Sequence, residues 1–171
     1  MSSASDHRSA GSAPDRLRPK APRESRTELA EIMFPHHANV LGKVFGGTIL
    51  ELCDKAGGTA AIRHSGRICV TARIDEVSFH APVEIGEMLQ LVATVTAVGR
   101  TSLEVAVRVT AMNVRAGTTR HTNDCFLTMV AIDDAGKPTP VCPLAPETDE
   151  ERRLEAAARA RMAARKKARG G

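Results

Sequence analysis

The stretch Thr48-Ile49-Leu50-Glu51-Leu52-Cys53-Asp54-Lys55-Ala56-Gly57-Gly58-Thr59-Ala60-Ala61-Ile62 decides the fold. Ile49, Leu52, Cys53, Ala56 and Ala60 recur at helical spacing, which predicts one amphipathic helix with a single buried stripe. It is the only strong helix of the central chain. Gly57 and Gly58 sit in its middle, where each costs on the order of 1 kcal/mol against Ala, so something must approach closely there. Asp54 falls off the main stripe, near Leu50, Gly57 and Ala61 by the 100° rule, while Glu51 and Lys55 form an i,i+4 pair facing water. The small and apolar neighbours of Asp54 imply a second covered flank. Because a single sheet covers one face of a helix only, a partner subunit is expected there, with Asp54 at or near the seam. A solvated acid on a helix shoulder is the competing account.

Working outward, the chain changes period after the helix. Residues 68–79, 88–98, 103–114 and 121–132 read as strands rich in Val, Thr and Ile. Leu89, Leu91, Ala93, Val95 and Leu103, Val105, Val107, Val109 alternate with polar or small residues, so each strand buries one face. Matching those faces across Gly99-Arg100 requires an odd connection. On the other side of the helix, Leu29 to Phe34 reads as a short strand, and Pro35-His36-His37-Ala38-Asn39 breaks it into a loop that runs to Gly46-Gly47. The expected fold is α+β: one antiparallel sheet of about five strands with one long helix, over residues 28–146. Residues 1–27, Ser-, Ala-, Arg- and Pro-rich without periodicity, read as a disordered leader. Residues 147–171 read as a charged C-terminal helix or tail, since Thr148 and Glu151 have capping-box spacing. Its stripe of Leu154, Ala158 and Met162 is narrow, which predicts a helix that lies on the surface or frays.

The 171-residue length excludes two-domain Rossmann enzymes and α/β barrels. No Trp or Tyr and four Phe leave few platforms for base stacking. The net charge of +4 comes from the two ends, which carry +2 and +3 against −1 for residues 29–146. A folded nucleic-acid-binding face is therefore not expected. Cys53, Cys69, Cys125 and Cys142 form no C-x-x-C pair and no zinc spacing, and His36, His37, His64, His80 and His121 lack metal-ligand spacing, so no metal site is expected. With no apolar run long enough for a membrane span and no secretory core, reduced thiols and a cytoplasmic location are expected.

Three groups near the helix could carry chemistry. Phe45-Gly46-Gly47 brings bare backbone to the helix N-terminus, where amides and the macrodipole can hold a developing oxyanion. A tight turn is the plainer account. Asn39 supplies a carboxamide that orients, and Asp54, fifteen positions later, a carboxylate that activates water. Together they make a hydrolytic set.

The run Asn39-Val40-Leu41-Gly42-Lys43-Val44-Phe45-Gly46-Gly47, followed by Asp54-Lys55-Ala56-Gly57, resembles the N-x-x-G-x-x-[FH]-G-G … [DE]-x-A-G pattern of hotdog-fold acyl-CoA thioesterases of the cytosolic acyl-CoA hydrolase type. The resemblance continues through Phe79 to Glu87, Val98 to Ser102 and Pro146 to Thr148, covering about residues 29–155. It implies a sheet wrapped around the helix, protomers paired sheet edge to sheet edge, and an active site between them. By resemblance Asp54 is general base or nucleophile toward the thioester of a fatty acyl-CoA, Asn39 comes from the opposite subunit, and the Gly47 amide holds the oxyanion. Arg100, Thr101 and Ser102 resemble the segment placed by the CoA phosphates, with a solvated hairpin tip as the alternative. CoA is then part of the substrate and no cofactor is needed. A homodimer is the minimal unit and a trimer of dimers the expected assembly. Met33, Phe34 and Phe79 are candidates for an acyl tunnel or for core. His80 departs from the small or basic residues expected before Pro82-Val83.

Three rivals remain. Hotdog hydratases carry His five positions after their Asp, where this chain has Thr59. A non-catalytic acyl-CoA sensor would need neither Asn39 nor Asp54, and the leader is too short and Pro-rich for a helix-turn-helix. A nucleic-acid binder would have to act through its basic ends alone.

Overall fold

The helix read from the sequence extends over Gly46–Ser65 (α2) and stops where Gly66, at φ +63°, donates its amide to the Ile62 carbonyl at 2.8 Å. That left-handed residue is the usual glycine stop. The computed structural model describes residues 17–169. Around α2 stand β1 (Thr27–Ile32), β2 (Ile68–Phe79), β3 (Met88–Val98), β4 (Ser102–Asn113) and β5 (Thr118–Ile132), in one antiparallel sheet of order β1-β3-β4-β5-β2. A short helix α1 (Pro22–Ser25) precedes them, a single 3-10 turn covers Pro35–His37, and α3 (Asp149–Arg169) closes the chain. All five strands touch α2. The sheet therefore curls around the helix, as the alternating apolar faces require.

The core lies between α2 and the inner face of the sheet, where Leu89, Leu91, Val95, Leu103, Val105 and Leu127 are fully buried beside Cys53, Ala56 and Ala60. The close approach at the helix glycines comes from this same sheet. A methyl group on Gly57 would sit 3.0 Å from Leu127 Cδ1 and 3.7 Å from Val107 Cγ2, and one on Gly58 would sit 3.6 Å from Met129 Cε. Gly57 and Ala61 are buried within one chain, so the expectation that the Asp54 flank needs a partner to cover it is corrected: β4 and β5 curl far enough to do most of it.

The β3–β4 hairpin meets the parity condition by an unexpected route. Val98 pairs with Leu103 across four residues, an even number that would throw the two apolar faces out of step. A bulge at Thr96 adds the missing residue, so that Val95 still faces Val105 and Leu91 still faces Val109.

One expectation at the chain ends changes. Residues 1–16 of the expected leader lie outside the described residues, but 17–27 are built into the fold. Lys20 exchanges backbone bonds with Pro143 and Ala145 at 3.0 and 2.8 Å, and its Nζ donates to the Arg63 and His64 carbonyls at 3.0 and 2.7 Å, capping the C-terminus of α2. At the other end, the capping box of α3 forms: Glu151 donates its amide to Thr148 Oγ1 at 3.1 Å and accepts the Thr148 amide at 3.0 Å. As expected, α3 lies on the surface of the domain, and it is docked there. Ala158 is fully buried, and Arg161 and Arg165 reach Glu104, itself fully buried on the outer face of β4, at 2.6 and 2.8 Å. Arg165 also meets Asp75 at 3.2 Å, and the Arg161 guanidinium lies 4.2 Å from the Phe126 ring. The narrow apolar stripe understated the contact because charged side chains make it.

β2 is an end strand of the sheet, and Ile68, Val70 and Ile74 on it are exposed together with Ile62 of α2. A long apolar edge invites pairing with another strand. Among the described residues no helix is long and apolar enough to cross a membrane.

Candidate active site

The loop that leads into α2 is organised by Asn39. Its Oδ1 accepts the amides of Leu41 and Lys43 at 2.9 and 3.2 Å, and its own amide donates to the Lys43 carbonyl at 2.7 Å. Gly42, at φ +72°, lets the chain double back within that span. The loop is pinned to the domain where Val44 and Phe45 donate to the Val83 and His37 carbonyls at 2.9 and 2.8 Å. With Oδ1 occupied twice, the Asn39 carboxamide has only its NH₂ end to offer, as a hydrogen-bond donor. Asn39 lines a cleft of about 380 Å³ together with Lys43, Gly46, Ile49, Phe79 and His80.

At the mouth of this cleft α2 begins on Phe45 with no side-chain cap, so its first amides are left to whatever binds. Gly47 is at the second helical position; a methyl group there would collide with the Phe45 ring, which folds across it. Gly46 rather than Gly47 forms part of the cleft wall, beside Phe79. Of the acyl-tunnel candidates, Phe79 lines the cleft, Met33 is buried in the core and Phe34 is exposed.

Asp54 stands two turns further along α2, about 12 Å from Gly46 at the helical rise of about 1.5 Å per residue. It is half-buried and is not part of the cleft. Its Oδ1 accepts the Thr71 hydroxyl at 2.5 Å, which fixes the carboxylate against β2. Cys53, the neighbour of Asp54, shares a hydrogen bond with Cys125; that bond first, and burial second, push its thiol well above the ordinary range. Cys53 is also fully buried, beyond the reach of a substrate. One chain thus holds Asn39 and Asp54 at separate places.

The Gly99–Ser102 hairpin is divided as well. Ser102 lines a cleft of about 320 Å³ with Arg73, Thr128, Arg165 and Lys166. Arg100 and Thr101 do not line it; their carbonyls accept the amides of Val141 and Ala131 at 3.1 and 2.9 Å.

Residues 41–117 match the family model described as the thioesterase superfamily. The Bacillus subtilis protein YkhA, named an uncharacterized acyl-CoA thioester hydrolase, is 36% identical over 129 residues that cover 75% of either chain. The chain belongs to the thioesterase superfamily. Among solved structures, a hexameric acyl-CoA thioesterase superimposes with a TM-score of 0.85 at 41% identity, covering 88% of this chain and 97% of that one. The acyl-CoA hydrolase of Staphylococcus aureus, solved with butyryl-CoA, CoA and CoA disulfide, gives 0.82 at 35%, covering 88% and 92%. Its structures include variants with alanine in place of an aspartate, an asparagine and a threonine.

For this thioesterase-superfamily chain, sequence reading missed Thr71, because a Thr in a Val-rich strand reads as a β-former and nothing local marks its partner. It also missed the basic wall that Arg165 and Lys166 add from α3. Sequence spacing also did not show that the fold brings His80, His121 and Asp124 together, with ligating atoms within 4.8 Å of one another. His80 lies about 40 residues before the other two, and a regular strand would put His121 and Asp124 on opposite faces, so nothing local marked the group. His64, by contrast, is fully buried, within 3.3 Å of Ser25 Oγ and the Cys142 carbonyl, and burial holds its imidazole below the usual pKa. It is a structural histidine.

Proposed function

We propose that this protein hydrolyses acyl-CoA thioesters to the free acid and CoA in the cytosol, with each active site built from two copies of the chain. Asp54 of one copy acts as general base or nucleophile, and Asn39 of the other orients the thioester or the attacking water. The backbone amide of Gly47 stabilises the oxyanion that forms when the carbonyl is attacked. The observation that carries this reading is the separation of Asn39 from Asp54 within one chain, while each is held by its own hydrogen bonds. An anchored carboxylate and an anchored carboxamide donor are the parts of a hydrolytic site, and a second copy supplies the missing half of each.

Other observations support the reading. In the Staphylococcus aureus enzyme the substituted aspartate stands 15 positions after the substituted asparagine, and the substituted threonine 17 positions after the aspartate. Asn39, Asp54 and Thr71 stand at the same two intervals. Thr71 then serves as a positioning residue, since its hydroxyl holds the Asp54 carboxylate. The outer edge of the end strand β2 and the exposed Ile62, Ile68 and Val70 are a surface on which a homodimer would form, and the hexameric relative supports a trimer of dimers. Ser102, with Arg73 and Lys166 around it, offers donors and positive charge to the phosphates of CoA. Arg100 and Thr101 complete that segment at the hairpin tip. Asp54 activates water without a cofactor.

The test is complementation. Asn39→Ala and Asp54→Ala should each lower turnover by about 10²-fold or more, the scale of losing a positioned base or donor. Mixing the two variants under conditions of subunit exchange gives heterodimers with one doubly damaged and one intact site. Activity should return toward about a quarter of wild type, as expected for a symmetric dimer with two sites. No recovery after exchange verified by mass would show that the two residues do not act across the interface.

A further inference from the structure

From Asn123 to Ile132 burial along β5 alternates, but Thr122 and Asn123 are both buried. The reason is a bulge in the β4–β5 ladder: Val109 pairs with Asn123 and Thr110 with His121, which leaves Thr122 as the extra residue. Side chains three apart on a regular strand point to opposite faces; across a bulge they share one. His121 and Asp124 therefore stand together on the outer face. As β2 ends, the chain delivers His80 to the same place, where its amide donates to the Thr122 carbonyl at 2.7 Å.

The two carboxylate oxygens of Asp124 each face one imidazole. Oδ1 is 3.1 Å from His121 Nε2 and Oδ2 is 3.8 Å from His80 Nε2, with the two rings 5.1 Å apart. His121 Nε2 is shielded from solvent and makes no hydrogen bond, its one close polar neighbour being the Asp124 carboxylate. A shielded ring nitrogen beside a carboxylate is set to take a cation as a ligand. The nearest cation is Arg108, whose Nε lies 4.0 Å from Asp124 Oδ1.

We propose that His80, His121 and Asp124 form a binding site for a zinc-class divalent cation. Two imidazoles and one carboxylate are the donor set of Zn²⁺, Co²⁺ or Ni²⁺ rather than of Mg²⁺ or Ca²⁺. A tetrahedral ion with bonds of about 2.0–2.1 Å needs its ligand atoms about 3.4 Å apart, so the three atoms, which lie within 4.8 Å of one another, need close by little, and water takes the fourth position. His80 also lines the Asn39 cleft. A bound ion would thus tie the Phe79–Val83 wall of that cleft to β5. The site is separate from Asp54, and its ion is a ligand that stiffens the cleft, not a participant in hydrolysis.

Metal-stripped full-length protein titrated with ZnCl₂ by calorimetry should take up one Zn²⁺ per chain with micromolar or tighter affinity, and its thermal midpoint should rise at saturation. His80→Gln, His121→Gln and Asp124→Asn should each weaken binding by at least about tenfold. His36→Gln, altering the exposed His36–His37 pair whose rings lie 4.0 Å apart, should bind as wild type does. Substituting Co²⁺ should give the visible absorption of a four-coordinate ion in wild type and not in the variants. Because His80 follows the end of its strand, His80→Gln tests the site even if His121→Gln fails to fold. Wild-type protein that takes up no zinc, or variants that bind it as wild type does, would overturn the proposal.

Discussion

On the inner face of the sheet, α2 packs Gly57 against Leu127 and Val107, with Cys53, Ala56 and Ala60 fully buried around it. On the outer face, α3 brings Arg161 and Arg165 onto the buried carboxylate of Glu104 and stacks Arg161 on Phe126. The inner contact is made of small apolar surfaces pressed close, and its strength grows with the area removed from water. The outer contact rests on ion pairs whose desolvation offsets much of their attraction, so it specifies where α3 lies more than it stabilises the domain. This difference explains why the inner helix carries the proposed chemistry. A carboxylate that must be aimed is best mounted on the element held by packing.

The comparison can be broken most severely from the inside. Leu127→Ala should cost about 3–4 kcal/mol in urea unfolding, the usual range for emptying a fully buried Leu. In that background Gly57→Ala should restore about 1 kcal/mol, because the added methyl gains helix propensity and enters space that Leu127 has vacated. No restoration would mean that the glycine is not there to admit Leu127.

On the outside, Arg165→Met should cost about 2–3 kcal/mol, since it leaves Glu104 and Asp75 each with one arginine fewer in a buried setting. Replacing Glu104 and both arginines together by apolar residues should cost less than Arg165→Met alone. A triple variant less stable than the single one would show that the ion pairs are net stabilising.

The pH dependence sharpens the same contrast at the C-terminal end of α2. Burial lowers the pKa of His64 from 6.5, so below that pH the unfolded chain takes up a proton that the folded chain refuses. Stability is fully present above about pH 6.5 and falls as pH drops toward the folded pKa, with a slope of at most about 1.4 kcal/mol per pH unit. Thermal midpoints between pH 7.5 and 5.5 should show it, and His64→Gln should flatten the curve. The smallest effect is expected at the start of α3, where Thr148→Ala removes the hydroxyl that caps Glu151 and should cost about 0.5–1 kcal/mol. Hydrogen exchange should report it as fraying confined to the first turn of α3.

Much of the domain was legible before folding. The helix stripe, four strands within a residue or a few at their ends, and the capping box of Thr148 and Glu151 all follow from periods of 3.6 and 2 and from turn chemistry. Asn39, Asp54 and the Gly46-Gly47 turn stood out because a polar pair flanking an amphipathic helix is conspicuous. Thr71 did not, since its link to Asp54 spans 17 positions and a strand pairing. The bulge at Thr122 was equally hidden, and with it the meeting of His80, His121 and Asp124: a bulge is set by the partner strand.

The sequence by itself determined the elements and their buried faces, because side-chain period and backbone preference act over a few neighbouring residues. It also determined the anionic and carboxamide groups available for chemistry. Only the tertiary structure decided which of them meet. It separated Asn39 from Asp54 within a chain, gave Asp54 to Thr71, and turned a helix with a narrow apolar stripe into one docked through Glu104. Each of these depends on through-space distance between groups far apart in the chain. Hydrogen bonding and dispersion fall off within a few ångströms and Coulomb attraction is screened over about 10 Å, so such pairs acquire their energies only once the curl of the sheet has brought them into reach.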